Sequence, residues 1–205
     1  PCRRCREGTG LIAPAGPQRL LRRLAPRPRV AYIAPTPGAN GRWTVDEQSG
    51  QFGVVPRDVL LAQDGLGFLK AIVEGKLPSP PITETLGFEL IDVERGRALF
   101  AGVPTFRHYN PIGVVHAGFA ATLLDSALGC AVHSTLARGE GYTTLELKLN
   151  LVRAITKDTG RVTAEGRLLH RGRTVGTAEG YLRDAEGRLY AHATTTCMIF
   201  PAKDA

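Results

Sequence analysis

The amino-acid sequence predicts an α+β fold in which one antiparallel β-sheet wraps around a long central α-helix. Residues 115–137 are almost all apolar or small, contain no proline and are too many for a single strand. Two strand-like segments precede this stretch, and four more follow it between turn signals. Because a helix that is apolar on nearly all sides must be buried, the economical arrangement is one sheet wrapped around it.

Residues 1–44 differ in character from the rest of the chain. They hold nine Arg and one acid, Glu7, which leaves 17 basic and 18 acidic residues for 45–205. They also contain seven of the 14 prolines, which cannot propagate a helix or a sheet ladder. We expect a disordered basic leader, and an untargeted tail, a targeting peptide and an electrostatic arm remain open as its role.

The net charge of +7 therefore lies in the leader, and the part expected to fold is nearly neutral. We expect no nucleic-acid partner, because a nucleic-acid-binding domain needs a basic face. We also expect no membrane association, since no run approaches the roughly 18 apolar residues that span a bilayer.

The four cysteines do not predict a disulfide framework or a metal site. Cys2 and Cys5 form a CxxC pair without the second pair of ligands that structural zinc requires. Cys130 and Cys197 are isolated within predicted elements, where a free Cys behaves as a small apolar residue. This pattern indicates a reducing, cytoplasmic location and no metal or redox cofactor.

Between the leader and the predicted sheet lies a helical segment, residues 45–79. Apolar residues recur at helical spacing over 55–74, with a break expected near Gly65 and Gly67. Three prolines within 78–81 predict an extended linker. We expect the main domain to occupy residues 80–201.

The strands of that domain are predicted from alternating apolar residues and turn signals. A first hairpin comprises residues 86–93 and 97–103, joined by a tight turn at 94–96. Four strands follow the central helix and are expected to form a meander: 142–152, 160–170, 174–184 and 188–200.

The start of the central helix and one acid within it suggest chemistry. Unpaired NH groups at residues 115–118, with the positive end of the helix dipole, would stabilise an oxyanion formed when a carbonyl is attacked. Asp125 follows, among Leu123, Leu124, Ala127 and Leu128. The sequence thus offers a proton acceptor in apolar surroundings and, separately, a donor site.

The run from Asn110 to Asp125 reads Asn-Pro-Ile-Gly-Val-Val-His-Ala-Gly-Phe-Ala-Ala-Thr-Leu-Leu-Asp. It resembles the signature of the PaaI-like acyl-CoA thioesterases, which have the hotdog fold. That signature is Asn, then Gly, then His-Gly-Gly at a helix start, and an Asp eight residues after the first of those glycines. Every spacing matches, but Ala117 stands where the family has its first glycine. The resemblance covers residues 80–200, including Tyr-Thr-Thr-Leu-Glu-Leu at 142–147.

The resemblance implies a hotdog fold and hydrolysis of a small, medium-chain or aromatic acyl-CoA to the free acid and CoA. It implies that Asp125 is the general base or nucleophile, that the Ala117 NH polarises the thioester carbonyl, that Asn110 orients the attacked group or water, and that Thr144 lies beside the acid. The methyl group of Ala117 would narrow the approach to the thioester.

Other site residues are weaker candidates. We assign His116 a positioning role, Gly118 to the substrate-binding helix start, and Arg153, Arg171 and Arg173 to the CoA phosphates. His108 and His133 are expected to be structural or exposed.

Alternative functions remain. The sequence contains no Gly-x-Ser-x-Gly elbow of a serine hydrolase. It also lacks, on the central helix, an Asp and His pair at the short spacing usual in a hotdog dehydratase. The rival is a non-catalytic hotdog module that binds an acyl-CoA or acyl-carrier ligand.

The spacing of Ala117 and Asp125 predicts the assembly. Eight residues of helix separate them by about 12 Å, too far for both to contact one thioester carbon. We therefore expect a homodimer with two shared active sites, alone or as a dimer of dimers.

Overall fold

The structure is a computed structural model that describes residues 51–202, so the predicted leader, residues 1–44, lies outside the described residues. The helices are α1 (Arg57–Leu61), α2 (Gly65–Val73), α3 (Pro81–Leu86) and α4 (Ala117–His133). The strands are β1 (Phe88–Glu94), β2 (Arg97–Gly102), β3 (Glu140–Leu151), β4 (Val162–Arg171), β5 (Val175–Asp184) and β6 (Leu189–Pro201). Over residues 51–202, no helix is long and apolar enough to cross a membrane.

The six strands of the described region form one antiparallel sheet in the order β1-β2-β4-β5-β6-β3, and α4 packs against it. This confirms the predicted hotdog architecture of a sheet around a long helix. The predicted four-strand meander is wrong in one respect, because β3 pairs with β6 and only β4, β5 and β6 follow one another. The strand after the helix therefore lies at the outer edge of the sheet.

One side of α4 forms the centre of the hydrophobic core. Leu123, Leu124 and Leu128 are fully buried against inward-facing residues of the sheet such as Leu182. Burial of each of these side chains contributes about 1.5–3 kcal/mol. Helical periodicity leaves a second side of α4 turned toward β3, and the site residues lie there.

The segment before the sheet is more helical than predicted. The helix expected over 55–74 is divided at the break that was predicted near Gly65, because Asp64 caps a new helix by accepting a hydrogen bond from the Gly67 NH at 2.7 Å. Phe68 of α2 lies in the core. The expected linker ends in the short helix α3, with Pro81 at its first position, where no NH donor is needed.

Candidate active site

His116 sets the start of α4. It occupies the N-cap position, with extended backbone angles, and its Nδ1 accepts a hydrogen bond from the Gly118 NH at 2.8 Å. Because Nδ1 must be unprotonated to accept, the neutral ring carries its proton on Nε2. His116 thus holds the helix start in place, and a positioning role toward a substrate stays a prediction.

Three of the four backbone NH groups at the start of α4 already have partners. The Val115 NH donates to the Ile155 carbonyl at 2.9 Å, the His116 NH to the His108 carbonyl at 2.7 Å, and the Gly118 NH to His116. Within residues 51–202, the Ala117 NH has no hydrogen-bond partner. Of the four NH groups expected to form a donor site at residues 115–118, only the Ala117 NH can therefore donate to a ligand. The Gly118 NH already donates to His116.

Asn110 shapes the loop in front of the helix. Its Oδ1 accepts hydrogen bonds from the Ile112 NH at 3.1 Å and the Val114 NH at 3.3 Å. The turn also needs Gly113, whose φ of +88° favours glycine. With its oxygen engaged in the loop, Asn110 presents its amide NH₂ as the group that can donate to a ligand.

A cleft of about 360 Å³ opens at this end of α4. Asn110, His116 and Ala117 line one side of it, and the chain at and beyond the end of β3, including Ile155, lines the other. The cleft therefore brings together the Ala117 NH and the side chain of Asn110. Of residues 151–155, the sequence had singled out only Arg153. The other four were missed because they reach α4 only through the sheet.

Asp125 lies on the side of α4 that faces β3. The Thr144 hydroxyl donates a hydrogen bond to its Oδ1 at 3.3 Å, a long contact. Asp125 is only partly buried, unlike its fully buried neighbours Leu123 and Leu124. The expectation of a carboxylate among leucines is thus wrong, since those side chains point to the core and Asp125 points away from it.

Asp125 and the cleft are separated within one chain. Helix α4 is continuous from Ala117 to His133, so eight residues place the Ala117 NH about 12 Å along the axis from Asp125. The structure joins Thr144 to Asp125 and Asn110 to the Ala117 NH, as two separate groups that are called half-sites below.

The three candidate arginines lie apart. Arg153 lines the cleft, with its guanidinium 5.8 Å from the centre of the Tyr190 ring. Arg171 lies at the far end of β4, where it pairs with Glu140 at 2.5 Å, and Arg173 is exposed in the following turn. One chain brings only Arg153 to the cleft.

The other two candidate histidines pack against aromatic rings. His108 stacks on Phe119 with ring centres 4.6 Å apart, and burial, with the charge of Arg107, lowers its pKa. His133 stacks on Phe68 at 5.4 Å, and burial lowers its pKa to about 4. Over residues 51–202, no cluster of three His, Cys, Asp or Glu side chains is placed to hold a metal ion.

Comparison with known proteins supports a hydrolase. The family model of the thioesterase superfamily matches residues 112–191. A protein of Saccharolobus solfataricus named "Putative esterase" is 32% identical over 136 residues, which cover 66% of this chain and 94% of that protein. The 1,4-dihydroxy-2-naphthoyl-CoA hydrolase of Listeria monocytogenes is 25% identical over 118 residues, 58% of this chain and 94% of the hydrolase.

Solved structures agree with these matches. A phenylacetic acid degradation-related protein of Ralstonia eutropha has a TM-score of 0.58 and 32% identity, covering 64% of this chain and 98% of its own. A variant of the phenylacetic acid degradation protein PaaI of Thermus thermophilus has a TM-score of 0.52 and 28% identity, covering 58% and 97%. With its six-stranded sheet around α4, the chain belongs to the hotdog-fold thioesterase superfamily.

Proposed function

We propose that this protein hydrolyses a small, medium-chain or aromatic acyl-CoA to the free acid and CoA. The observation that carries the proposal is the arrangement at the start of α4. There the Ala117 NH faces a cleft and has no hydrogen-bond partner among residues 51–202, while the NH groups beside it are bonded. A single preorganised donor at a helix start suits an oxyanion that forms only during reaction.

Asp125 supplies the second half of the chemistry. As general base it takes a proton from water, whose oxygen bonds to the thioester carbon, and as nucleophile its own oxygen attacks and water later releases the acid. In both routes the C–S bond breaks and the CoA sulfur leaves as a thiol. Thr144 holds the carboxylate through its hydroxyl, and Asn110 orients the attacked group with its amide.

The two halves come from two subunits. An antiparallel pair of α4 helices, related by a two-fold axis, places the start of one helix opposite Asp125 of the other and makes two equivalent sites. Strand β3 leaves room for such a partner, because among the described strands it pairs with β6 alone, and residues 143–146 are exposed along it. A dimer of such dimers is compatible with the same sites.

The phosphates of CoA are bound by arginines. Arg153 lies in the cleft beside the Ala117 NH and is the first candidate. In an antiparallel pair, Arg171 and Arg173 of the second subunit lie toward the same end of the assembly. Arg173 is the more exposed of these two, since Arg171 is engaged by Glu140.

We also propose a division of the chain into a leader (1–44), an N-terminal helical segment (45–79) and the hotdog domain (80–201). The change in charge and proline content near residue 44 supports the first boundary. The helical segment supports the domain directly, since Leu69 of α2 is buried in the common core.

The test is a hydrolysis screen of the purified full chain against short, medium-chain and aromatic acyl-CoAs, with free thiol as the readout. We expect at least one substrate to give thiol at a rate proportional to enzyme concentration. Binding of acyl-CoA without release of thiol from any substrate would contradict hydrolysis and favour the non-catalytic binding module.

A further inference from the structure

Tyr142 lies next to the catalytic half-site that contains Asp125. It precedes Thr144 by two residues on β3, so both side chains point to the same side of the sheet. Their partners on β6, Ile199 and Cys197, are both buried and confirm that this side faces α4.

The Tyr142 ring fills the space between β3 and α4. Gly129 lies one helical turn after Asp125, and a Cβ added there would approach the Tyr142 hydroxyl oxygen to 2.9 Å. The phenol thus rests directly on the helix backbone, where only glycine leaves room for it. On its other side, the ring lies 5.3 Å from the ring of His133.

The hydroxyl of Tyr142 remains protonated in this position. Burial, with the nearby Cys130, Cys197 and Asp125, raises the pKa of Tyr142 well above 10. The ring is therefore a neutral, partly buried boundary that can contact an uncharged acyl group.

A second cleft, of about 200 Å³, lies beyond the Tyr142 ring. Its walls include Leu60 and Leu61 of α1, Leu136 after α4 and Phe200 of β6. Tyr142 lines this cleft as well, so the ring stands between an apolar space and the carboxylate of Asp125.

The direction in which the acyl group extends follows from the proposed shared site, on which this inference rests. If residue 117 of one helix lies opposite residue 125 of the other, the two-fold axis passes near Ala121. On the axis side of Asp125, the partner helix occupies the space. The acyl group therefore extends away from the axis, along the seam between α4 and β3 toward Gly129 and Tyr142.

We propose that Tyr142 forms the floor of the acyl-binding space and restricts the enzyme to short acyl groups. Gly129 is four residues from Asp125, a distance of about 6 Å along the helix, which about five carbons of an extended chain span. Butanoyl-CoA fits above the ring, whereas the chain of decanoyl-CoA meets it. Removal of the ring would join the seam to the second cleft.

The experiment compares kcat/KM for butanoyl-CoA and decanoyl-CoA in the full-length protein. We expect the wild type to favour butanoyl-CoA by at least about tenfold, since one methylene group alone changes the fit to a hydrophobic pocket by about 10–200-fold. The Tyr142→Leu variant should reduce or reverse that preference by at least about tenfold, because it removes the ring. The matched control Tyr142→Phe keeps the ring and should retain the wild-type ratio.

Three outcomes would overturn the inference. One is equal use of both substrates by the wild type, which needs no variant to interpret. Another is an unchanged ratio in a Tyr142→Leu protein that folds and hydrolyses butanoyl-CoA, with Tyr142→Met in its place if the leucine variant does not fold. The third is a wild type that hydrolyses no thioester, which overturns the proposed function itself and is distinguished by the absence of thiol from every substrate.

Discussion

Asp125 and Ala117 show how one helix presents two different chemical groups. The side chain of Asp125 leaves α4 on the side of β3, where the Thr144 hydroxyl donates a long hydrogen bond to it. Ala117 contributes through its backbone, so the methyl group that distinguishes it from the family's glycine leaves the NH intact. The Asp125 carboxylate is partly exposed, so a substrate can reach it. The Ala117 NH is held in place because the residues on both sides of it, His116 and Gly118, are joined by the capping hydrogen bond.

We predict that Asp125→Asn lowers kcat by about a hundredfold or more, the usual effect of losing a general base. The fold should survive, because the amide is nearly isosteric with the carboxylate and the site is only partly buried. Steady-state kinetics with the best substrate of the screen measures the effect, and thermal denaturation checks the fold. Glu84→Gln on the exposed side of α3 is the matched control and should retain wild-type turnover.

The turn between β5 and β6 depends on one buried acid. Asp184 accepts hydrogen bonds from the NH groups of Glu186 and Arg188 at 3.1 and 2.8 Å, and pairs with the Arg188 guanidinium at 2.6 Å. Burial by itself would raise the pKa of Asp184, but the hydrogen bonds from Arg188 and Tyr190 outweigh it and lower the pKa. The charged form of Asp184 therefore stabilises the folded state.

We predict that Asp184→Asn lowers the free energy of unfolding at neutral pH by about 1.5–3 kcal/mol, the range for hydrogen bonds to a charged group. Because the folded pKa of Asp184 is lowered, its contribution is complete above the unfolded value of about 3.9 and is lost as pH falls through the folded value. Tm measured from pH 7 to pH 2 should show a gap between wild type and variant that closes at the acid end. A gap that widens on acidification would contradict this.

The sequence predicts well those elements whose boundaries are set by residues close to them in the chain. The caps, glycines and turn residues are local, so the hairpin of β1 and β2 and the three strands β4, β5 and β6 lie within two residues of their expected bounds. The position of Asp125 relative to the helix start also follows from the motif alone. The prediction of an extended linker was wrong at Pro81, which begins α3. A proline that follows another proline can begin a helix as well as extend a linker.

The features that the sequence did not predict depend on long-range pairing. No local pattern distinguishes β3 beside β4 from β3 beside β6, since both partners alternate apolar residues. The neighbours of Asp125 in the sequence are not its neighbours in space, because residues 123, 124, 127 and 128 form one stripe of α4 and Asp125 another. The sequence motif included Tyr142 but did not indicate that its ring bounds the acyl-binding space. That inference depends on the register of β3, which places the ring over Gly129.

The charge distribution of the whole chain gives a further prediction. Residues 1–44 hold all of the excess positive charge, and the clefts, the core and both half-sites are built from residues after 51. Deletion of 1–44 should leave kcat/KM unchanged and shift Tm by less than about 2 °C, as less than about 1 kcal/mol would do in a domain of this size. Loss of activity or a collapse of Tm would show that the leader is part of the folded enzyme.

The proposed shared site makes a specific prediction about the assembly, because it assigns each residue to one of two half-sites. Asn110 belongs with the Ala117 NH, and Thr144 belongs with Asp125. A defect in one half-site of a subunit therefore affects only the active site to which that half contributes. Two variants that are each inactive then carry complementary defects.

We predict that Asn110→Ala and Asp125→Asn proteins recover activity when they are unfolded and refolded together. Random pairing makes half of the dimers mixed, and each mixed dimer has one site with both defects and one with neither, so about a quarter of wild-type activity should return by the two-fold symmetry. Each parent refolded alone is the control and should remain nearly inactive. Mass spectrometry of the intact dimers confirms that mixed pairs have formed. If these mixed dimers are as inactive as their parents, each site lies within one subunit, and Ala117 and Asp125 of a single α4 do not act on the same thioester.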